Sequence, residues 1–280
     1  MSVFHELVAL LERFGRCAAL PKVRALHLPP AAVADPRHGE FCALELEDGS
    51  LGLAYVLLDG TREALAAGDV LQRLAGADPL ALARRGAAAA GVDRALGFAA
   101  ANALTRCLFD RAGYRPDPDT DSLGGLDPQP GDHIGMVGLF PPLVGRIAQA
   151  GARLTVVELR PELAGERNGC RVTLDADELR ACNKVLATST LLLNDTVERI
   201  LERCAGAVSV VVIGPGAGGL PDPLFARGVT RLGGAWVLDG AALRRALVSG
   251  SPWGASTRKF ALRPADYPGF EALVARASSG

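Results

Sequence analysis

A glycine turn and a glutamate in the second half of the chain have the residue types and spacing of a ligand site. The turn, Gly138-Leu139-Phe140-Pro141-Pro142, follows an apolar run, and its proline at the first helical position predicts free N–H groups that point into a cleft. Glu158 comes about 20 residues later, where Rossmann-type proteins commonly place an acid against ribose hydroxyls. The alternatives are a tight turn with Phe140 packed in an interface and an ordinary carboxylate paired with Arg160.

Hydroxyl and amide side chains follow a second apolar run. Thr188-Ser189-Thr190 and then Asn194 form a polar cluster directly after the residues KVLA. Such groups can donate and accept hydrogen bonds, so we expect Thr188, Thr190 and Asn194 to contact a ligand. Asp195 and Thr196 are better explained as caps of the helix that follows.

A glycine-rich segment, residues 214–221, follows the most apolar run of the chain. It begins with Gly214 and Pro215 and contains four glycines, more than one turn requires. Backbone N–H groups exposed in such a loop can bind an anion or a carboxylate. The alternative is a mobile loop that binds nothing.

Motifs for metal binding and nucleophilic catalysis are weak. The four histidines are far apart and form no HxH or HExxH pattern, the six cysteines form no CxxC pair, and both GxSxG and a P-loop lysine are missing. The 138–142 turn also lacks the GxGxxG fingerprint of dinucleotide-binding proteins. The sequence therefore identifies no catalytic base and no ready-made zinc site, and most cysteines are expected to be buried small hydrophobic residues.

The elements that must position these groups alternate between strand and helix. Helices are expected from Pro141, near 176–182 and over 195–204. Continuous apolar strands are expected at HIGMVG (133–138), RLTVVE (153–158), KVLATS (184–189) and VSVVVIG (208–214). This alternation predicts a parallel sheet covered on both faces, with the turns after the strands at one ligand-binding edge.

The first half of the chain shows a different order of elements. Strands are predicted at 23–28, 40–47 and 51–59, with a hairpin turn at 48–50, and the pattern is helical from 61 to 113. Residues 115–131 are rich in proline, glycine and aspartate, as exposed connections are. We therefore predict an α/β chain with an α+β domain over residues 1–120 and a Rossmann-like parallel-sheet domain over residues 121–280.

Composition excludes several function classes. The 280 residues are 49% hydrophobic and 22% charged, which is ordinary for a globular protein. Lys and Arg total 30 against 31 Asp and Glu, so no charge surplus favours nucleic acid or an anionic membrane. The first 16 residues have the pattern of an amphipathic helix rather than a signal peptide, and no apolar run approaches the ~18 residues of a membrane span. We expect a cytoplasmic protein.

Several segments, taken together and in this order, resemble the heavy-metal chelation family of two-domain proteins of unknown function. They are LGFAAANAL (96–104), GLFPP (138–142), Glu158 with Pro161, TSTLLLNDT (188–196) and GPGAGGLPDPLF (214–225) with Gly228-Val229. The resemblance covers nearly the whole chain. The chain departs from the family at Gly216-Ala217-Gly218, where a polar residue is expected after Gly-Pro.

The resemblance implies a first domain similar to the enolase N-terminal fold, a Rossmann-like second domain and a shared site in the cleft between them. It also adds Asn102, an amide in an alanine-rich helix, to the candidate residues. A buried amide is costly unless it is paired, so Asn102 is either a ligand contact or a satisfied amide at the domain interface. Amides and hydroxyls with one acid suit an organic polar ligand better than a bare soft metal ion.

Two functional hypotheses follow, and the cofactor stays unassigned between them. The first, which the resemblance favours, is a protein that binds or processes a divalent metal or a metal chelate through Asn102, Glu158 and Asn194. The second is a transferase-type enzyme that binds S-adenosylmethionine, with the 138–142 turn at its polar tail and Glu158 at its ribose. A third, non-catalytic interpretation is a homo-oligomer in which the cleft is a subunit contact.

Overall fold

The computed structural model of the chain describes residues 1–278 with the exception of residues 59, 68–69, 122 and 168. Its first part is a helix, a small antiparallel sheet and then a run of helices. The elements are α1 (Val3–Cys17), β1 (Val23–His27), β2 (Phe41–Leu46), β3 (Leu51–Tyr55), α2 (Thr61–Ala66), α3 (Val70–Leu74), α4 (Pro79–Ala87) and α5 (Gly91–Arg111). The strands pair in the order β1-β2-β3, which confirms the predicted α+β class of this part.

Local sequence signals explain where these elements turn and begin. Gly49 has a φ of 87° in the turn between β2 and β3, a conformation that glycine adopts without steric cost. The side chain of Asp78 accepts a hydrogen bond from the Leu80 N–H at 3.0 Å, and Pro79 occupies the first turn of α4. The predicted hairpin at 48–50 is therefore confirmed, and Asp78 and Pro79 are residue types that favour the start of a helix.

The second part is built on a large, mostly parallel sheet. Its strands are β4 (Asp117–Pro118), β5 (His133–Val137), β6 (Arg153–Val157), β7 (Gly165–Arg167), β8 (Cys170–Thr173), β9 (Lys184–Thr188), β10 (Ser209–Ile213), β11 (Arg231–Val237) and β12 (Thr257–Leu262). Its helices are α6 (Pro141–Gln149), α7 (Val197–Arg203), α8 (Asp222–Phe225), α9 (Gly240–Ser249) and α10 (Phe270–Ala277). Among the described residues the strand order is β4-β12-β11-β10-β9-β5-β6-β8-β7.

The order of the parallel strands creates a switch point. From β5 the chain winds outward through β6 to β8, then returns to the other side of β5 and continues through β9, β10 and β11. The crossovers therefore diverge between β5 and β9. In open α/β sheets a crevice forms at the carboxyl ends of the two strands that flank such a point, and ligands bind there.

Some sequence predictions differ from the structure in detail. Strand β3 ends at Tyr55 rather than at 59, and residue 59 lies outside the described part of the chain. The helix expected near 176–182 is a 3₁₀ helix, Ala176–Ala181, and the helix expected over 195–204 begins at Val197. The outer strands β4, β7, β8, β11 and β12 were not predicted, because each is short or lacks a continuous apolar run. No described helix is both long and apolar enough to cross a bilayer.

The two parts share a continuous apolar core. One cluster of buried side chains extends from α1 and α5 to β9, β10 and α7. Near the carboxyl end of α5 the Arg106 guanidinium lies 3.9 Å from the centre of the Trp236 ring and donates to the Val237 carbonyl at 3.0 Å. The predicted boundary between residues 120 and 121 stays a prediction, and Asp117–Pro118, just before it, already pair with β12.

The amino ends of β5 and β9 are tied by a carboxylate, which leads to a prediction about acid stability. Asp132 contacts the Lys184 ammonium at 2.8 Å and accepts from the Asn183 amide at 2.7 Å, and these groups lower its pKa from 3.8 to about 2. A carboxyl with a lowered folded-state pKa stabilises the fold above its unfolded pKa, and that stabilisation is lost as the pH falls towards about 2.

We therefore expect Asp132→Asn to lower the unfolding free energy by about 1–2 kcal/mol at neutral pH, as measured by urea denaturation. The difference in unfolding free energy between the variant and the parent chain should shrink as the pH falls from 3.8 to about 2. At the lower pH Asp132 becomes protonated, so both chains carry a neutral side chain at this position. A difference that stays constant over this interval would contradict the assignment of the low pKa.

Candidate functional site

Two of the predicted segments meet at the switch point. Gly138 follows β5 and Thr188 ends β9, and a Cβ atom added to Gly138 would lie 3.2 Å from Cγ2 of Thr188. Gly138 has a φ of 83°, so the tight exit from β5 also requires a residue without a side chain. The glycine turn and the threonine segment are therefore neighbours, as the parallel-sheet prediction required.

The N–H groups of the glycine turn are already bonded, and this corrects the prediction that they point free into a cleft. Pro141 and Pro142 carry no N–H, and the Leu143 N–H donates to the Phe140 carbonyl at 2.9 Å. The Phe140 N–H contacts the Met136 sulfur at 3.5 Å. The prolines that define the helix start thus remove the donors that an anion would need.

Glu158 holds the turn in place. Its Oε2 accepts from the Leu139 N–H at 3.2 Å, its Oε1 accepts from the Leu159 N–H at 2.8 Å, and Arg160 lies 3.6 Å from Oε2. Only 12% of the Glu158 side chain is exposed. Each carboxylate oxygen keeps one further acceptor position, so the group can still accept a hydrogen bond while it positions residues 138–140.

A tyrosine from the first part of the chain lies within electrostatic range of this carboxylate. Tyr55 ends β3 and is half-buried, and burial raises the pKa of its hydroxyl. The Glu40 and Glu158 carboxylates raise this pKa further, and Arg160 lowers it. Burial likewise raises the pKa of Glu40. Tyr55 therefore interacts electrostatically with Glu40 on its own part of the chain and with Glu158 and Arg160 on the second part.

The threonine segment presents a pair of hydroxyls. Thr188 Oγ1 and Thr190 Oγ1 are 2.9 Å apart, and both residues are half-buried beside the turn. Asn194 lies one 3₁₀ turn farther along and accepts from the Thr196 hydroxyl at 2.6 Å. Ser189 is 4% exposed and points at the glycine loop, since a Cβ on Gly214 would lie 2.3 Å from its Oγ.

The glycine loop packs against Asn102 rather than opening towards solvent. Asn102 is 2% exposed and donates from Nδ2 to the carbonyls of Leu53 at 2.8 Å and Gly216 at 2.9 Å. A Cβ on Gly219 would lie 3.2 Å from Oδ1 of Asn102, an oxygen that is buried without a hydrogen-bond partner in the described residues. The glycines are thus explained in part by the close approach of the loop to α5.

Asp195 and Thr196 do not cap the following helix as predicted. Thr196 is the residue before α7, but its side chain makes no capping hydrogen bond. Asp195 has a φ of 56° and both of its carboxylate oxygens accept from Arg94 Nη2, at 2.5 and 2.6 Å. The Arg94 side chain is 5% exposed, so Asp195 neutralises a buried guanidinium of α5 across the domain interface.

The donor set of the site is oxygen-rich and contains no thiolate. In the described part of the chain no three His, Cys, Asp or Glu side chains come together as a metal site would require. Burial raises the pKa of Cys42, Cys107 and Cys204 to about 12, so these thiols stay protonated. The cysteines are buried except for Cys17, as expected for most of them.

The structure therefore divides the predicted site residues into two groups. The first lies at the ends of β5, β6 and β9 and consists of Gly138, Leu139, Phe140, Pro141, Glu158, Thr188 and Thr190. The second lies in the closed interface with α5 and consists of Asn102, Ser189, Gly214 and Pro215. Asn194 lies between the threonine segment and α7. Sequence reasoning missed Tyr55 and Glu40, for which the signal is weak: each is a polar side chain within a predicted strand of the first part of the chain.

Known proteins of the same fold match nearly the full length of the chain. The chain is similar to a crystal structure of a DUF364-family protein of unknown function from Desulfitobacterium hafniense, with a TM-score of 0.68 and 20% identity over 91% of this chain and 98% of the other. A second such protein, from Pyrococcus horikoshii, has a TM-score of 0.63 and 20% identity over 92% and 99%. At these identities the two structures show the fold alone.

The sequence comparisons are consistent with this fold. An uncharacterized protein of Methanocaldococcus jannaschii is 29% identical over 152 residues, which are 53% of this chain and 56% of that protein, so the chain matches about half the length of this curated relative. The family model described as "Putative heavy-metal chelation" (DUF364) matches residues 122–265, just over half of the 280 residues. The chain belongs to this heavy-metal chelation family.

Proposed function

We propose that the chain binds a metal-bearing small molecule at the switch point, between the 138–142 turn and Tyr55 of the first domain. The observation that carries this proposal is the electrostatic influence of Glu158 and Arg160 on Tyr55, which indicates that polar groups from both parts of the chain lie near the carboxyl ends of β5 and β6. The family description supports the metal, and the position at the switch point of an open parallel sheet supports the location.

The chemistry of the side chains favours a metal carried in an organic chelate over a bare ion. Glu158 and the hydroxyls of Tyr55, Thr188 and Thr190 are hard oxygen groups, and soft divalent metals prefer thiolate or imidazole ligands. Hydroxyls and a carboxylate instead suit the polar groups of an organic ligand, to which they can donate and accept hydrogen bonds.

The charges at the site define what each group offers to the ligand. The Tyr55 phenol is protonated at neutral pH, and its raised pKa extends this to more alkaline pH, so it can donate a hydrogen bond. Glu158 supplies an acceptor and a negative charge, and Arg160 lies beside it at 3.6 Å as the neighbouring cation. A ligand that accepts from Tyr55 and donates to Glu158 matches this arrangement.

The experiment is a calorimetric titration of the metal-free full chain with nickel, cobalt, iron and zinc, each as the aqueous ion and as its histidine complex. We expect saturable binding of a complexed form. Tyr55→Phe should weaken it about five- to tenfold, the value of one hydrogen bond, and Glu158→Gln should weaken it about tenfold or more because a charged acceptor is lost.

Two matched substitutions control for general effects. Tyr114→Phe removes another half-buried phenol hydroxyl, and Glu271→Gln removes an exposed carboxylate on α10; neither should change the affinity. S-adenosylmethionine is included as a separate probe in equilibrium dialysis. Absence of heat and of a thermal shift with every metal and complex would contradict the proposal, and binding of S-adenosylmethionine that depends on Glu158 would favour the transferase hypothesis instead.

A further inference from the structure

A second, basic cavity lies between helix α9 and strand β1, where the two domains meet on another side. It has a volume of about 570 Å³ and is open to solvent, and its walls are formed by His27 of β1 and by residues of α9. The α9 residues are Arg244, Arg245, Val248 and Ser249. Among the lining residues that the structure describes, none is acidic.

A buried carboxylate below the cavity holds part of this basic wall in place. Glu45 of β2 is 2% exposed; its Oε2 contacts His27 Nε2 at 2.8 Å and its Oε1 accepts from Arg244 Nη1 at 2.7 Å. Arg24 lies 3.8 Å from the same Oε1. One carboxylate is thus shared by two guanidinium groups and an imidazole, and its single negative charge cannot neutralise both guanidinium groups.

Arg245 adds a positive charge that forms no ion pair with any residue that the structure describes. It is exposed on α9, and within the described part of the chain it has neither an ion-pair partner nor a hydrogen bond from its side chain. The cavity therefore offers Arg244, which Glu45 holds, and an uncommitted Arg245 on one helical face, whereas the Ser249 hydroxyl is already bonded to the Ala246 carbonyl at 3.2 Å and to the Ser251 hydroxyl at 3.0 Å. Guanidinium donors match the oxygens of a phosphate or carboxylate group.

We propose that this cavity binds a small phosphorylated molecule, with Arg245 and Arg244 beside its phosphate group. The volume falls within the range of roughly 300–1,000 Å³ that small-molecule sites occupy, far more than one phosphate needs. Val248 supplies an apolar surface for the organic part. Because His27 belongs to the first domain and α9 to the second, the bound molecule would contact both domains.

Isothermal calorimetry and thermal melting of the full chain test this proposal, with inorganic phosphate, ribose 5-phosphate and ribose as probes at constant ionic strength. We expect saturable binding of ribose 5-phosphate, at least tenfold weaker in Arg245→Ala, with the melting temperature of the unliganded variant unchanged. Arg199→Ala, which removes an exposed arginine of α7, is the matched control and should bind like the parent chain.

Three outcomes of these measurements would contradict the proposal. Equal binding of inorganic phosphate and ribose 5-phosphate would assign the site to the free anion, and binding that Arg245→Ala does not weaken would place it elsewhere. No binding at millimolar concentration would remove the site altogether. The probes contain no metal and the substituted residues lie outside the switch-point site, so failure here is independent of the metal-chelate proposal.

Discussion

Replacement of Gly52 by alanine should destabilise the chain strongly, although it adds only one methyl group. Gly52 lies in β3 directly under α5, and a Cβ at this position would be 2.1 Å from the Ala99 carbonyl oxygen and 2.3 Å from the Ala103 nitrogen. Both atoms belong to the helix backbone, which cannot rotate away as a side chain can. The helix must move away from the sheet or β3 must bend.

We expect Gly52→Ala to cost roughly 3 kcal/mol or more, at or above the upper end of the usual range for overpacking. This loss is a large part of the roughly 5–15 kcal/mol that typical domains have as their free energy of unfolding. It corresponds to a fall in melting temperature of roughly 10 °C. Thermal unfolding followed by circular dichroism measures it.

Gly145→Ala is the matched control for this experiment. Gly145 lies within α6, and a Cβ there would have no neighbour within 4 Å, so the substitution should be neutral or slightly stabilising. A melting temperature of Gly52→Ala within a few degrees of the parent chain would show that β3 and α5 do not approach as closely as these distances require.

The second large effect is expected from Asn102→Asp, which keeps the number of heavy atoms in the side chain and removes its ability to donate. The Asn102 amide donates to a carbonyl from each domain, those of Leu53 and Gly216. A carboxylate would face the same two oxygens with no proton to donate, in a place that is 2% exposed. Such a buried, unpaired charge is strongly destabilising.

We expect a loss of roughly 3–5 kcal/mol at neutral pH, in urea denaturation of the full chain. The loss should be smaller in acid, because a protonated carboxyl can donate one of the two hydrogen bonds. Thr105→Val is the control on the same helix: it removes a buried hydroxyl that donates to the Ala101 carbonyl at 2.9 Å, and should cost no more than about 1.5 kcal/mol.

The outcome for Asn102 also distinguishes the two interpretations of this residue. If Asn102→Asp leaves stability unchanged and abolishes ligand binding, the amide is a ligand contact and the interface around it is not closed. If stability falls as expected, Asn102 ties β3 to the glycine loop. In that case the role of the loop is to close the interface around α5, and the open site lies at β5 and β6.

The neighbouring positions of the glycine turn and the threonine segment were predictable, because parallel strands joined by helical crossovers bring their carboxyl ends to one edge. The spacing of the 138–142 turn and Glu158 needed no tertiary information either. Their hydrogen bonds were not predictable: the two prolines that mark the helix start also remove its N–H donors, and Glu158 accepts from Leu139. Sequence spacing identifies neighbours but not which atoms are already paired.

The sequence by itself determined the α+β class of the first half, the hairpin at 48–50 and the parallel sheet of the second half. Those features follow from apolar periodicity and from turn residues, which act over a few positions. Only the tertiary structure decided that Asn102 lies in a closed interface, that Asp195 pairs with Arg94 and that Tyr55 lies within electrostatic range of Glu158. These pairs are separated by dozens of residues along the chain, so their contacts depend on how α5 and β3 dock onto the sheet, which no local pattern encodes.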